Sequence, residues 1–341
     1  MTSPRPASAS QALAPAERAV QLLGGDLSEV ALRQHLEGLP TVDAVGLEAR
    51  AASFGTRSIK TTSKAAALDT VIRMIDLTTL QGSDTRGKVR SLVAKALVPD
   101  ASDPSTPRPA AVCVYGDMVG NAVEALGSAW SAGKDDGINV AAVATAFPSG
   151  RASIGVKLQD TRDAVAAGAD EIDMVIDRGA FLEGNYGKVF DEIVQTKDAC
   201  RRDDGTYAHL KVILETGELV TYDNVRRASW LSILAGGDFI KTSTGKVQPA
   251  ATLPVTTLML QVVRDWERLT GERIGVKPAG GISTSKDAIK YLVAVAETCG
   301  EAWLDPHLFR FGASSLLNDV LLQRQKLTTG RYSGPDYVTI D

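Results

Sequence analysis

The sequence is poor in cysteine and aromatic residues, and it has no long apolar run. Its three cysteines, Cys113, Cys200 and Cys299, stand far apart in a chain of 341 residues. Their number is odd, and no CxxC or Cys/His spacing accompanies them. That argues against a metal site and for a reduced, cytoplasmic protein. Aromatic residues make up only 5% of the chain, while Ala, Val, Ile and Gly are abundant. This profile suits parallel strands packed under helices. No apolar run reaches the roughly 18 residues needed to span a bilayer. The N-terminus lacks the apolar core of a signal peptide. A basic excess is also missing: the formal net charge is −4, which leaves no footprint for nucleic acid. His35, His209 and His307 stand apart without ligand spacing and read as structural.

What is present is organised in repeating units. Residues 1–18 are rich in Ala, Ser and Pro and read as a flexible tail. Two arginines are too few to favour a transit peptide. Residues 19–64 form a helical extension, interrupted by Gly24-Gly25 and Pro40. Short apolar runs then recur at 71–76, 110–116, 139–147, 171–176, 209–216, 238–244, 274–280 and 308–314. The gaps of roughly 20 to 35 residues each hold a crossover helix. Eight such units predict an α/β (β/α)8 TIM barrel over residues 65–332, with a tail over 333–341. A doubly wound open sheet is the alternative, but no GxGxxG follows the first run.

Three lysines interrupt these runs: Lys211 in HLKVILET, Lys241 in DFIKTSTGK and Lys277 in IGVKPAGG. A buried ammonium is costly unless it is paired or used. Side chains alternate across a strand. Lys211, Ile213 and Glu215 therefore share one face, as do Lys241 and Ser243, and Gly275 and Lys277. With the apolar face turned to the helices, the lysines point into the barrel. Asp76 and Asp173 are candidate inward carboxylates, although Asp76 could also cap a turn. Repulsion between two ammonium groups at about 4 Å and ε of about 20 is roughly 4 kcal/mol, or about three pKa units. A lysine so perturbed is a neutral nucleophile for a carbonyl.

Glycines and serines provide the complementary feature. Gly280 and Gly281 follow the seventh run, Gly312, Ser314 and Ser315 follow the eighth, and Gly245 lies in TSTGK. Glycine turns and helix N-termini bind anions, so these residues predict a phosphorylated substrate. Ser314 and Ser315 could equally be helix caps. TSTGKV is not a phosphate-binding P-loop, because Val247 follows Lys246 and the first glycine of that motif is missing. Cys113 reads as a small buried hydrophobe.

IDLTTL (75–80), VCVYG, EIDMVI, LKVILETGEL, DFIKTSTGK, GVKPAGGI and FRFGASSLL resemble, in order, the strand-end motifs of the deoxyribose-phosphate aldolase family. The resemblance covers about residues 65–332. It implies a metal-independent class I aldolase that reversibly cleaves 2-deoxy-D-ribose 5-phosphate to D-glyceraldehyde 3-phosphate and acetaldehyde, in deoxynucleoside breakdown. By the same resemblance Lys241 forms the Schiff base, and Lys277 lowers its pKa and moves protons. Asp173 is the acid/base, Lys211 and Asp76 support the centre, and Gly281, Gly312, Ser314 and Ser315 lie on the phosphate side. No cofactor is implied; a homodimer is. Tyr332 and Tyr337 are not carried over as active-site tyrosines, because neither is terminal. A different Schiff-base aldolase, transaldolase-like or acting on a keto-acid phosphate, is the first rival. A phosphate-binding barrel without catalysis is the second.

Overall fold

The computed structural model describes residues 15–57, 61–133 and 137–331. Tyr332 and Tyr337 lie outside the described residues. Four helices precede the first strand: α1 (Pro15–Leu22), α2 (Glu29–Glu37), α3 (Ala44–Phe54) and α4 (Thr61–Arg73). Strands and helices then alternate. They run β1 (Ile75–Thr78), α5 (Arg86–Leu97), β2 (Ala111–Tyr115), α6 (Val119–Leu126), β3 (Asn139–Ala144), α7 (Ile154–Ala166) and β4 (Glu171–Val175). After β4 come α8 (Arg178–Leu182), α9 (Tyr186–Ala199), β5 (His209–Ile213), α10 (Tyr222–Leu234), β6 (Phe239–Lys241) and α11 (Leu253–Thr270). β7 (Gly275–Lys277), α12 (Ser285–Cys299), β8 (Phe311–Ala313) and α13 (Leu316–Thr329) complete the series.

The strands are parallel and ordered β7-β6-β5-β4-β3-β2-β1-β8. The two edges meet through parallel bridges between Val276 and Phe309 and between Ala279 and Gly312. The amides of Arg310 and Gly312 donate to the carbonyls of Val276 and Pro278 at 3.1 and 2.9 Å. The sheet thereby becomes a (β/α)8 TIM barrel with no long free edge. Thr85, Thr221, Thr252 and Thr284 start α5, α10, α11 and α12, each hydroxyl accepting a backbone N–H three residues ahead. These caps supply partners that the first turn of a helix lacks.

Alternation along the strands separates two interiors. Val112 and Val114, Val140 and Ala142, Ile172 and Met174, Leu210 and Val212, Ile240, and Val276 join the main core under the helices. The opposite face carries the lysines, together with a small apolar cluster of Leu80, Cys113, Ala141 and Val143. A Cβ on Gly275 would meet the Phe239 ring at 2.2 Å, so glycine there leaves the ring its place inside the barrel.

Two sequence expectations shift. Helix α1 starts at Pro15, inside the stretch expected to be a tail. The run at 71–76 is not all strand: Val71, Ile72 and Arg73 finish α4, and β1 starts at Ile75. Leu68, Val71 and Ile72 are buried at helical spacing. A short apolar run suits a buried helix end as well as a strand.

Candidate active site

Parallel register brings the charged side chains to one level. Asp173 on β4 pairs in register with Lys211 on β5, and Ile213 pairs with Lys241, which pairs with Lys277. Asp173 is the hub. Its Oδ2 accepts from the Nζ of Lys241 at 2.7 Å and of Lys277 at 2.8 Å, and its Oδ1 accepts from Lys211 at 3.0 Å. Asp76 on β1 caps no turn through its side chain. It lies 2.5 Å from Lys277 Nζ through Oδ2, and its Oδ1 accepts from Arg310 at 2.6 Å.

Two members of this network escaped sequence reasoning. Glu171 accepts from Lys211 Nζ, from Arg310 at 3.0 Å and from Asn139 at 2.8 Å. Arg310 also donates to the Pro306 carbonyl. Glu171 stands two residues before Asp173, so period-two alternation places both on one face. Arg310 lies between Phe309 and Phe311, as Lys211 lies between Leu210 and Val212 and Lys277 between Val276 and Pro278. Both signals were available in the sequence.

Lys211, Lys241, Lys277, Arg310, Asp76, Glu171 and Asp173 are all buried. Burial opposes the charge on Asp173, but Lys211, Lys241 and Lys277 outweigh it and hold the carboxyl well below the usual range. Burial likewise opposes the charge on Lys277, yet Asp173 and Asp76 hold that ammonium above the ordinary lysine value. Lys211 is raised in the same way, with Asp173 and Glu171 overcoming burial. Lys241 moves the other way. Burial lowers it first, Asp173 pulls back, and Lys277 lowers it further. Desolvation is thus the larger cause of the lowering, and the like charge of Lys277 acts in the same direction.

Lys241 opens onto a cleft of about 470 Å³ at the C-terminal ends of the strands. Gly245, Gly280, Gly281, Gly312, Ser314 and Ser315 all line it. Gly280 and Gly281 adopt φ of 75° and 79°, where a side chain is strained. A Cβ on Gly312 would sit 2.8 Å from the Ala279 Cβ and 3.2 Å from the Lys277 Cε. Ser315 stands at the N-cap of α13 without making a side-chain cap bond. The amide end of α13 therefore faces a glycine-walled cleft, an arrangement suited to an anion. Lys246 also lines the cleft, with Nζ donating to the Leu80 carbonyl at 2.5 Å.

Glu215 departs from simple alternation. β5 ends at Ile213, and Glu215 takes a left-handed φ of 53°. Its buried carboxylate accepts from the Thr244 amide at 3.2 Å and from the Thr244 hydroxyl. Thr244 Oγ1 in turn accepts from the Lys246 amide at 3.1 Å. Cys113 is buried, and burial raises its thiol. Among the described residues, no group of three or more His, Cys, Asp or Glu side chains is arranged to hold a metal, and no helix is long and apolar enough to cross a membrane.

Residues 70–321 match the DeoC/LacD family aldolase. The chain is 45% identical over 285 residues to the deoxyribose-phosphate aldolase of Mus musculus and 44% identical to that of Homo sapiens. Each alignment covers 81% of this chain and 86% of the relative. Among solved structures, QR15, an aldolase, superposes with a TM-score of 0.57 at 26% identity, covering 76% of this chain and 99% of that one. The tetrameric deoxyribose phosphate aldolase of Aeropyrum pernix has a TM-score of 0.51 at 23% identity over 80% of this chain and 98% of its own, a likeness of fold. The chain thus belongs to the DeoC/LacD aldolase family and is an enzyme of the lyase class.

Proposed function

We propose that this enzyme reversibly cleaves 2-deoxy-D-ribose 5-phosphate to D-glyceraldehyde 3-phosphate and acetaldehyde through a Schiff base on Lys241. The observation that carries the reading is a buried lysine with a lowered pKa. It shares one carboxylate oxygen with a second lysine and opens onto the glycine-walled cleft. The names of the mouse and human relatives supply the substrate.

In the proposed reaction the neutral Lys241 amine adds to the aldehyde carbon of the open-chain sugar. The carbinolamine loses water to give an iminium. The C2–C3 bond then breaks as the C3 hydroxyl proton leaves; C3 becomes the aldehyde of glyceraldehyde 3-phosphate, and the electron pair enters the iminium as an enamine. Protonation at C2 and hydrolysis release acetaldehyde and restore the amine. The iminium is the electron sink, so the mechanism calls for no metal. Asp173 touches both Nζ atoms and is suited to relay protons at the carbinolamine step, with Lys277 as the charged partner. Lys211 and Asp76 hold these groups in place. Gly245, Gly280, Gly281, Gly312, Ser314 and Ser315 take the phosphate, the negative group best suited to the amide end of α13.

A cytoplasmic role in deoxynucleoside breakdown and a homodimeric state belong to the same proposal. The test is turnover against a substrate panel. Deoxyribose 5-phosphate should be cleaved far faster than deoxyribose or keto-acid phosphates. Preference for a keto-acid phosphate would assign a different aldolase, and binding without turnover would leave a non-catalytic barrel.

A further inference from the structure

We infer that Arg310 and Glu171, neither of which lines the cleft, are positioning residues that set the protonation of Lys241 through the charge count of the barrel interior. The inference rests on the Schiff-base reading and deepens it. Every strand except β3 brings an ionisable group to this interior. β1 brings Asp76, β2 the thiol of Cys113, β4 Glu171 and Asp173, and β5 Lys211, with His209 at its start. β6 brings Lys241, β7 Lys277 and the approach to β8 Arg310, while β3 brings Asn139 and no charge. Four cations therefore face three carboxylates in one network; Glu215, buried beyond the end of β5, is bonded to Thr244 and is not among the described ion-pair partners of the four cations. A buried charge left over is expensive, and releasing one proton removes it.

Contacts decide which cation releases it. Arg310 keeps its proton because guanidinium does not titrate in proteins. Lys211 touches Glu171 and Asp173, with Asp76 at 3.9 Å. Lys277 touches Asp76 and Asp173. Lys241 touches Asp173 alone among the described carboxylates, and Asp173 is shared with both other lysines. Lys241 is the least-paired cation and the one that faces substrate. Arg310 binds Asp76 and Glu171, the carboxylates that also hold Lys277 and Lys211. It is the surplus cation, and without it Lys241 could stay protonated in a neutral interior.

The test follows the initial rate of Lys241 alkylation by acetaldehyde and cyanoborohydride across pH, on the full chain, with peptide mapping. Arg310→Met should move the rising limb to higher pH and lower the rate at pH 7 roughly tenfold, the order expected of one buried charge. Arg310→Lys keeps the count and should leave the limb in place. Glu171→Gln adds surplus charge and should move the limb to lower pH. A purely structural role predicts lower yields with one unmoved limb in all three. An unmoved limb in Arg310→Met overturns the inference; if that variant does not fold, an unmoved limb in Glu171→Gln does so. Wild type unlabelled at Lys241 would instead sink the Schiff-base reading itself.

Discussion

Lys241 and Lys277 carry the same side chain on the neighbouring strands β6 and β7, yet their surroundings shift them in opposite directions. Lys241 has one shared carboxylate contact and a lowered pKa, whereas Lys277 has two and a raised one. Replacing Lys241 by Met should abolish turnover and leave the melting temperature unchanged or higher, since it removes a poorly paired buried group. Replacing Lys277 by Met should also abolish turnover, but it removes the ammonium that bridges Asp76 and Asp173 and should cost about 3–5 kcal/mol in denaturant unfolding. The pH dependence follows from the signs. The raised Lys277 stabilises fully below the ordinary lysine pKa, and that contribution is lost as pH rises through its folded value. The lowered Asp173 stabilises above the ordinary carboxylate pKa, and that contribution is lost as pH falls through its folded value. Stability from the pair should therefore be flat through neutrality and fall only at the two extremes, as unfolding midpoints measured across pH would reveal.

At the scale of elements, the strands were legible and their ends were not. Val112, Val114, Val140 and Ala142 alternate with interior residues, so periodicity located β2 and β3 well. The first run misled because Val71 and Ile72 are apolar for a helix. Side chains aligned by alternation, such as Lys241 and Lys277, could be read from the runs. The role of Glu215 could not, because its direction depends on a left-handed turn after β5. That turn fixes the loop after β6: Glu215 holds Thr244, Thr244 holds the Lys246 amide, and Lys246 reaches the Leu80 carbonyl. Thr244→Val removes the hydroxyl link. It should raise KM for the phosphorylated sugar by about tenfold, the scale of one hydrogen bond, and leave kcat/KM for unphosphorylated deoxyribose unchanged. Equal losses with both sugars would show that the loop does not serve the phosphate.

At the scale of the whole molecule, the helices before β1 wrap the outside of the barrel. α2 packs on α9 and α10, and α3 on α11 and α12. The Val42 amide donates to Asp223 at 2.8 Å, and Arg57 pairs with Glu297 at 2.7 Å. His35 on α2 meets Trp230 edge-on, and Trp230 meets Trp266. Phe54 is 1% exposed, so Phe54→Ala should cost about 3–5 kcal/mol of stability and leave kcat unchanged. A fall in kcat equal to that of an active-site variant would make the outer helices part of the catalytic device. Inside the barrel, burial lowers the pKa of Lys241, the lysine on which the proposed Schiff base forms. Mass spectrometry after incubation with acetaldehyde and borohydride tests it most directly. The account predicts a gain of one ethyl group at Lys241. Labelling confined to surface lysines, with Lys241 unmodified, would contradict it.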